Sequence, residues 1–220
     1  MRQTELDLAI QQLARRQHLL FSRRQATELG ASERFIGRRL AEGAWVKPDT
    51  SVCGLAGSPM TWQRQYKAAE LSAPEAAVGG CAGGALHKLT DFRPGRPEIC
   101  VPPGVSARSY IATVHRQVGF PTTVVDGIRV TTIAQTLFDV APAVSAWRLE
   151  RAMDDALRDG RLTVAQLDDL LEFYAESRRK GLPRRPTRPN QDTPASRTAT
   201  TNYFRAPPFN PALRHPFAAH

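Results

Sequence analysis

The chain has 220 residues, 41% of them hydrophobic, and a formal net charge of +9. This length fits one large domain or two small ones, and the charge favours a polyanionic partner, although excess charge also aids solubility. No apolar run approaches the ~20 residues of a membrane span, and the N-terminus does not resemble a signal peptide. We therefore expect a soluble, cytoplasmic protein.

The charge is uneven along the chain. Residues 1–47 hold nine Lys/Arg and five Asp/Glu, residues 48–174 hold twelve and fourteen, and residues 175–220 hold nine and two. A basic head, a nearly neutral body and a basic tail argue against one broad nucleic-acid surface.

The head begins with three predicted helices. Residues 4–17, TELDLAIQQLARRQ, carry apolar residues at helical spacing. A short apolar connector leads to a second helix, where Ser22 and Gln25 fit a capping box and Gly30 fits the position beyond the C-terminus. Ser32 can cap the third helix. The short glycine-containing turn between the second and third helices has the spacing of a helix-turn-helix.

The third helix presents two arginines on its predicted outer face. On a helical wheel, Ile36 and Leu40 mark the packed side, whereas Arg34 and Arg38 share a face roughly opposite Ile36. Arg39 falls toward the packed side, where we expect its aliphatic stem to lie along the edge. Arg34 and Arg38 are therefore the predicted readers of base edges, with guanine favoured.

A small hairpin is predicted after Gly43, because apolar residues flank the turn signal KPDT. Three helices followed by a hairpin form a winged helix-turn-helix, in which the second helix of the motif enters the major groove. Arg23, Arg24 and Lys47 would hold phosphates, together with the backbone amides at capped helix starts such as Ser32. The alternative is a solvated basic surface used for protein contact.

The body is predicted as a small mixed α/β domain with antiparallel strands and with helices toward its C-terminal side, so the whole chain is α+β. The predicted strands are residues 98–101 and 110–115 and the arms of a hairpin that turns at Asp126–Gly127. Thr132 and Gln135 fit a second capping box at the start of the following helix.

A glycine-rich segment, Gly79 to Gly84, lies before these strands. It lacks the GK[ST] ending of a P-loop and the spacing of a dinucleotide-binding loop. We therefore interpret it as a place where two elements pack closely.

The sequence contains no catalytic constellation. The three cysteines, at positions 53, 81 and 100, lack the spacing of a zinc site and form a poor disulfide framework. His18, His87 and His115 are isolated from metal-binding or nucleophilic partners, and the carboxylates of the C-terminal helices fit solvated faces. We predict reduced thiols, no metal, no cofactor and no enzymatic activity.

Four stretches together resemble the AbiEi-type antitoxin family in its actinobacterial form: LFSRRQATELGASERFIGRRLAEGAW, LAGSP, VVDGIRVTTIAQTLFDVA and RLERAMDDALRDGRLT. The resemblance spans about residues 4–180. It implies a winged helix that binds DNA repeats at its own promoter. It also implies a following domain that opposes a nucleotidyltransferase toxin without forming a stable complex, as in a type IV toxin–antitoxin system.

We predict a winged helix-turn-helix DNA-binding domain at residues 1–58, an α+β antitoxin-like domain at 59–181 and a disordered, basic, proline-rich tail at 182–220. The predicted function is a DNA-binding transcriptional regulator, an antitoxin that represses its own promoter. Two alternatives stay open: an endonuclease-like protein truncated before a very-short-patch-repair-type nuclease domain, and a protein-interaction module.

Overall fold

The computed structural model describes residues 3–179, with side chains from 4 to 176, and these residues belong to one compact unit. The fold is α+β, as predicted, with a helix-rich N-terminal region. The tail predicted at 182–220 lies outside the described residues. Within residues 3–179, no helix has both the length and the apolar character that crossing a membrane requires.

The N-terminal region has the element order of a winged helix. The elements are α1 (Gln3–Arg15), β1 (Leu20–Ser22), α2 (Arg23–Glu28), α3 (Glu33–Ala41), β2 (Trp45–Asp49) and β3 (Val52–Leu55). The strands form an antiparallel sheet in the order β1-β3-β2. The segment predicted as an apolar connector is strand β1, because Leu20 pairs with Gly54 of β3.

The helix boundaries in this region follow the predicted caps. The Ser22 hydroxyl accepts from the Gln25 amide while the Gln25 side chain accepts from the Ser22 amide, which confirms the capping box. Gly30 follows α2 with a φ of +101°, a left-handed conformation that glycine adopts without strain. The Ser32 hydroxyl accepts from the Phe35 amide and caps α3.

An aromatic trio fills the core of the winged helix. The Trp45 ring meets Phe21 edge-on at 4.8 Å and Phe35 at 5.7 Å between centroids. Ile10 of α1 and Ile36 of α3 are both fully buried in the same cluster. Because α3 buries Phe35 and Ile36 here, its opposite face is directed away from the core.

The turn of the wing lies later in the chain than predicted. Lys47 and Pro48 belong to β2, and the chain reverses at Thr50–Ser51. The pairing of β2 with β3 is irregular between Val46 and Asp49. This irregularity accommodates Pro48, which has no amide hydrogen to donate to a regular ladder.

The body is built on a five-stranded sheet in the order β6-β5-β4-β8-β7. Its strands are β4 (Ala77–Val78), β5 (Glu98–Val101), β6 (Thr113–Arg116), β7 (Thr122–Val125) and β8 (Ile128–Thr131). The predicted hairpin is confirmed, since β7 and β8 pair antiparallel around Asp126–Gly127, both with positive φ.

The prediction of antiparallel strands is wrong for two of the four pairings. β5 pairs parallel with β6, and β4 pairs parallel with β8. The strand predicted at 110–115 begins only at Thr113, because the preceding residues turn toward the wing, where Tyr110 bonds to Asp49. Residues 102–112 therefore form the long crossover that a parallel pair needs.

Five helices complete the body: α4 (Trp62–Leu71), α5 (Gly80–Leu86), α6 (Ile133–Val140), α7 (Ala146–Arg158) and α8 (Val164–Arg179). The glycine-rich segment follows β4 and forms the N-cap and most of α5, and the interpretation as close packing is confirmed. A Cβ built on Gly84 would lie 2.5 Å from Cδ1 of Phe92, and one on Gly79 would lie 2.7 Å from Sγ of Cys100.

The capping box predicted at α6 is only half formed. The Thr132 hydroxyl accepts from the Gln135 amide, but the Gln135 side chain does not reach back. It donates instead to Asp139 at 2.9 Å and accepts from the Tyr174 hydroxyl at 2.9 Å. Gln135 is fully buried, so these partners replace the water that its amide loses.

The winged helix packs directly against the body through a small apolar cluster and several hydrogen bonds. Leu20, Val52 and Ala68 of α4 are all fully buried together. Arg64 of α4 is 3% exposed and donates to the Leu55 carbonyl at 3.0 Å. The domain boundary at 58/59 stays a prediction, but residues on either side of it share this contact.

Candidate nucleic-acid interface

The outward side of α3 borders a shallow, open depression of about 680 Å³. It is lined by Leu6, Gly30, Ser32, Arg34, Phe35 and Arg38. The turn of the helix-turn-helix and both predicted base-reading arginines therefore meet at one surface. This arrangement follows from the capped start of α3 and the burial of its opposite face.

Arg34 is the most available cation on α3. Its side chain is exposed at the depression, in the first turn of α3, two residues after the cap at Ser32. Among residues 4–176 its guanidinium has no ion-pair or hydrogen-bond partner. Its donors are thus open to the planar, two-acceptor groups that arginine binds best.

Arg38 shares this surface but is partly engaged. Its Nε lies 3.6 Å from Oε1 of Glu42, one turn later, and its guanidinium lies 5.3 Å from the centre of the Phe35 ring. The side chain is 42% exposed. An exposed pair of this kind is weak, so Glu42 alone does not hold Arg38 firmly.

Arg39 faces α1, on the packed side where it was predicted. Its Nε donates to Oδ1 of Asp7 at 3.1 Å, and its Nη1 donates to Oε2 of Glu42 at 3.0 Å. The hydrogen bond that Arg39 donates to the Asp7 carboxylate is the main cause that raises the pKa of Arg39. Arg39 therefore joins α3 to α1 and is not directed at the depression.

The two arginines that begin α2 lie in different surroundings. Arg23 is half-buried and forms an ion pair with Glu33, the first residue of α3, while its amide donates to the Ser51 carbonyl at 2.8 Å. Arg24 is 65% exposed, with its Nε 3.7 Å from Glu28 on the same helix. Arg24 is the more accessible of the two for a phosphate.

The wing carries the remaining predicted contact, Lys47, which is exposed on β2. Its backbone carbonyl accepts from the hydroxyl of Tyr110, a body residue, at 2.9 Å. Two residues later, the fully buried carboxylate of Asp49 accepts from the Thr50 amide, the Ser109 hydroxyl and the Tyr110 amide. Asp49 thereby fastens the wing to the body.

Sequence reasoning missed both the role of Asp49 and the engagement of Arg38. Asp49 was assigned to a turn, and its body partners are 60 and 61 residues away in the chain, so no local signal marks them. The Arg38–Glu42 pair does have a local signal, because residues four apart on a helix are neighbours.

A partly exposed polar cluster in the body surrounds Glu98. Glu98 accepts from the Cys81 amide at 3.0 Å and contacts Nε2 of His115 at 3.0 Å. Burial, reinforced by the nearby Glu98 charge, raises the pKa of the Cys81 thiol to about 11. This thiol is therefore protonated at neutral pH and is a poor nucleophile. Across the described part of the chain, no three His, Cys, Asp or Glu side chains are grouped so as to hold a metal ion.

No protein-family model and no curated protein matches this chain. Among solved structures, it is similar to the crystal structure of the RV2827C protein from Mycobacterium tuberculosis, with 15% sequence identity and a TM-score of 0.44. The match covers 78% of this chain and 72% of that one. A similarity at this level carries no conclusion about function.

Proposed function

We propose that this protein is a DNA-binding transcriptional regulator that places α3 in the major groove. The observation that carries the proposal is Arg34, an exposed guanidinium without a partner among residues 4–176, on the outward face of the second helix of a winged helix-turn-helix. This is the helix whose N-terminal residues contact base edges in proteins with this motif.

Each predicted contact residue has a distinct role in the proposed complex. The guanidinium of Arg34 donates two hydrogen bonds to O6 and N7 of a guanine. Arg38 also contacts a base edge, after its ion pair with Glu42 breaks. The amides at the Ser32 cap, with the exposed charges of Arg24 and Lys47, hold phosphates on either side. Arg23 contributes less, because its ion pair with Glu33 holds its guanidinium between α2 and α3.

Fluorescence anisotropy with a labelled duplex from the region upstream of its own gene tests the proposal. A scrambled duplex of the same length is the control, and both are titrated at several salt concentrations. We expect tighter binding to the upstream duplex. We also expect the logarithm of the affinity to fall linearly with the logarithm of the salt concentration, because phosphate contacts release counterions. Equal affinity for both duplexes, or binding insensitive to salt, would contradict the proposal.

We further propose that the regulator is an AbiEi-like antitoxin that represses its own promoter and opposes a nucleotidyltransferase toxin. The support is the resemblance of the four sequence stretches described above. Co-expression with a nucleotidyltransferase from a neighbouring gene tests this: growth should be restored, and the two proteins should elute separately in size-exclusion chromatography. Continued growth arrest at equal expression would contradict the antitoxin role while leaving the DNA-binding role intact.

A further inference from the structure

Residues 105–110 of the body, VSARSY, run beside the wing as an irregular segment, which we name the flanking loop. Two of its residues attach it to β2. Ser109 and Tyr110 donate to the Asp49 carboxylate, and the Tyr110 hydroxyl donates to the Lys47 carbonyl. The flanking loop is therefore held next to Lys47, one of the residues proposed to contact phosphates.

The flanking loop alternates between inward and outward side chains. Val105 and Ala107 pack against the hydrophobic core of the body. Ser106, Arg108 and Tyr110, which alternate with them in the chain, are exposed. Within residues 4–176, the Arg108 guanidinium has no ion-pair or hydrogen-bond partner, so its charge is directed to solvent.

The wing itself is short. β2 and β3 join at Thr50–Ser51, and the Ser51 hydroxyl donates to the Ser72 carbonyl of the body at 2.7 Å. The tip is thus bonded to the body. The flanking loop lies beside this wing, bonded to Asp49 and to the Lys47 carbonyl, and it adds the exposed side chains of Arg108 and Ser106 there.

We infer that the flanking loop is a second phosphate-binding segment, in which Arg108 contacts the DNA backbone beside the wing. This inference rests on the proposed DNA-binding function. Arg108 supplies the charge, and Ser106 supplies a neutral donor, both of which are common partners of phosphate oxygens. The bonds from Ser109 and Tyr110 to Asp49 hold the loop in place before DNA arrives, which limits the entropy lost on binding.

The test compares Arg108→Ala with Arg93→Ala in the full chain, using the upstream and scrambled duplexes. Arg93 is also an exposed arginine without a partner among the described residues, but it follows Phe92 in a different cluster of the body. We expect Arg108→Ala to weaken binding roughly two- to fivefold. We also expect the slope of log affinity against log salt to fall by about 1, as for one lost phosphate contact.

Two features separate a phosphate contact from other effects. The fold-loss should be similar on both duplexes, because phosphates carry no sequence information, and Arg108→Lys should retain most of the affinity because it keeps the charge. Unchanged affinity and slope in Arg108→Ala, while Arg34→Ala weakens binding, would overturn this inference and leave the proposed function standing. Absence of salt-dependent binding by the unaltered chain would overturn both.

Discussion

The three arginines of α3 differ in what surrounds each guanidinium, and that difference assigns their roles. Arg34 has no partner among the described residues, Arg38 has a weak one in Glu42, and Arg39 is engaged with Asp7 on another helix. Charge alone does not distinguish them, because all three are arginines within six positions. Their place on the helix and the carboxylates within reach decide which one is available for DNA.

Arg34→Ala is expected to reduce affinity for the upstream duplex by about 1–3 kcal/mol and to relax the sequence preference at one base pair. The melting temperature should stay unchanged, because the side chain is exposed and makes no hydrogen bond or ion pair within residues 4–176. Anisotropy on single-base variants of the duplex measures the effect, with thermal unfolding as the folding control. A lower melting temperature with unchanged DNA affinity would show that Arg34 has a structural role.

His87 makes the stability of the body depend on pH. Its Nε2 lies 2.7 Å from the Thr131 carbonyl, which only accepts, so the neutral ring carries its hydrogen there. Burial lowers the pKa of His87 below its usual 6.5, the Arg161 charge lowers it further, and the Thr131 bond partly offsets both. The folded state therefore binds this proton less readily than the unfolded chain.

Because the unfolded chain takes up the His87 proton first, the free energy of unfolding should decrease as the pH falls below about 6.5. His87→Gln keeps a donor for Thr131 but does not titrate, so its unfolding free energy should fall less steeply. Urea unfolding at about pH 7.5 and about pH 5 measures the difference. Identical pH dependence in the two proteins would exclude this role for His87.

Short-range sequence signals define the helices of the winged helix. The side-chain caps at Ser22 and Ser32 and the glycine at position 30 act within a few residues, and all were predictable. Strand β1 was not, because its three residues pair with β3, thirty or more positions later. Pairings of this kind depend on the assembled fold and leave no local pattern.

Two substitutions at Ser32 distinguish its role as a helix cap from its proposed role as a DNA contact. Ser32→Ala should lower the free energy of unfolding by about 1 kcal/mol, since the Phe35 amide loses its acceptor. Ser32→Asp should restore stability, because aspartate also caps helices, but should weaken DNA binding by placing a negative charge near phosphates. Urea unfolding and anisotropy on the same samples measure both. Full DNA affinity in Ser32→Asp would remove Ser32 from the interface.

Alanine substitutions at two helical glycines should change the stability of the protein in opposite directions. Gly84→Ala should destabilise the protein by about 1–3 kcal/mol, because the new Cβ would press on the Phe92 ring. Gly37 on α3 has nothing within 4 Å of a built Cβ, so Gly37→Ala should stabilise it by up to about 1 kcal/mol. Chemical unfolding measures both variants. Equal effects would contradict the packing assigned to α5.

At the scale of the whole molecule, Asp49 links the winged helix to the body through two hydrogen bonds to one buried carboxylate. The bonds to Ser109 and Tyr110 join segments 60 residues apart in the chain. The outer face of α3 was predictable from helical periodicity, whereas this link was not, since KPDT fits an ordinary turn. The parallel pairings of the body sheet escaped prediction for the same reason.

Asp49→Ala should lower the free energy of unfolding by roughly 1–3 kcal/mol, because it leaves the Ser109 hydroxyl and the Tyr110 amide, both partly buried, without their acceptor. The flanking loop should also become more sensitive to limited proteolysis. Asp168→Ala, at an exposed position on α8, is the matched control and should change stability by less than about 0.5 kcal/mol. Equal stability of the two variants would show that Asp49 does not fasten the wing.

The link at Asp49 has a consequence for how several copies would share one stretch of DNA. In the proposed complex, a body fixed to its winged helix by these bonds would project from the duplex in one direction, set by the groove that α3 would occupy. Copies on repeats spaced by whole helical turns, about 10.5 base pairs each, would project their bodies from the same side of the duplex. Repeats offset by half a turn would turn neighbouring bodies to opposite sides, so repeat spacing would decide whether they can touch.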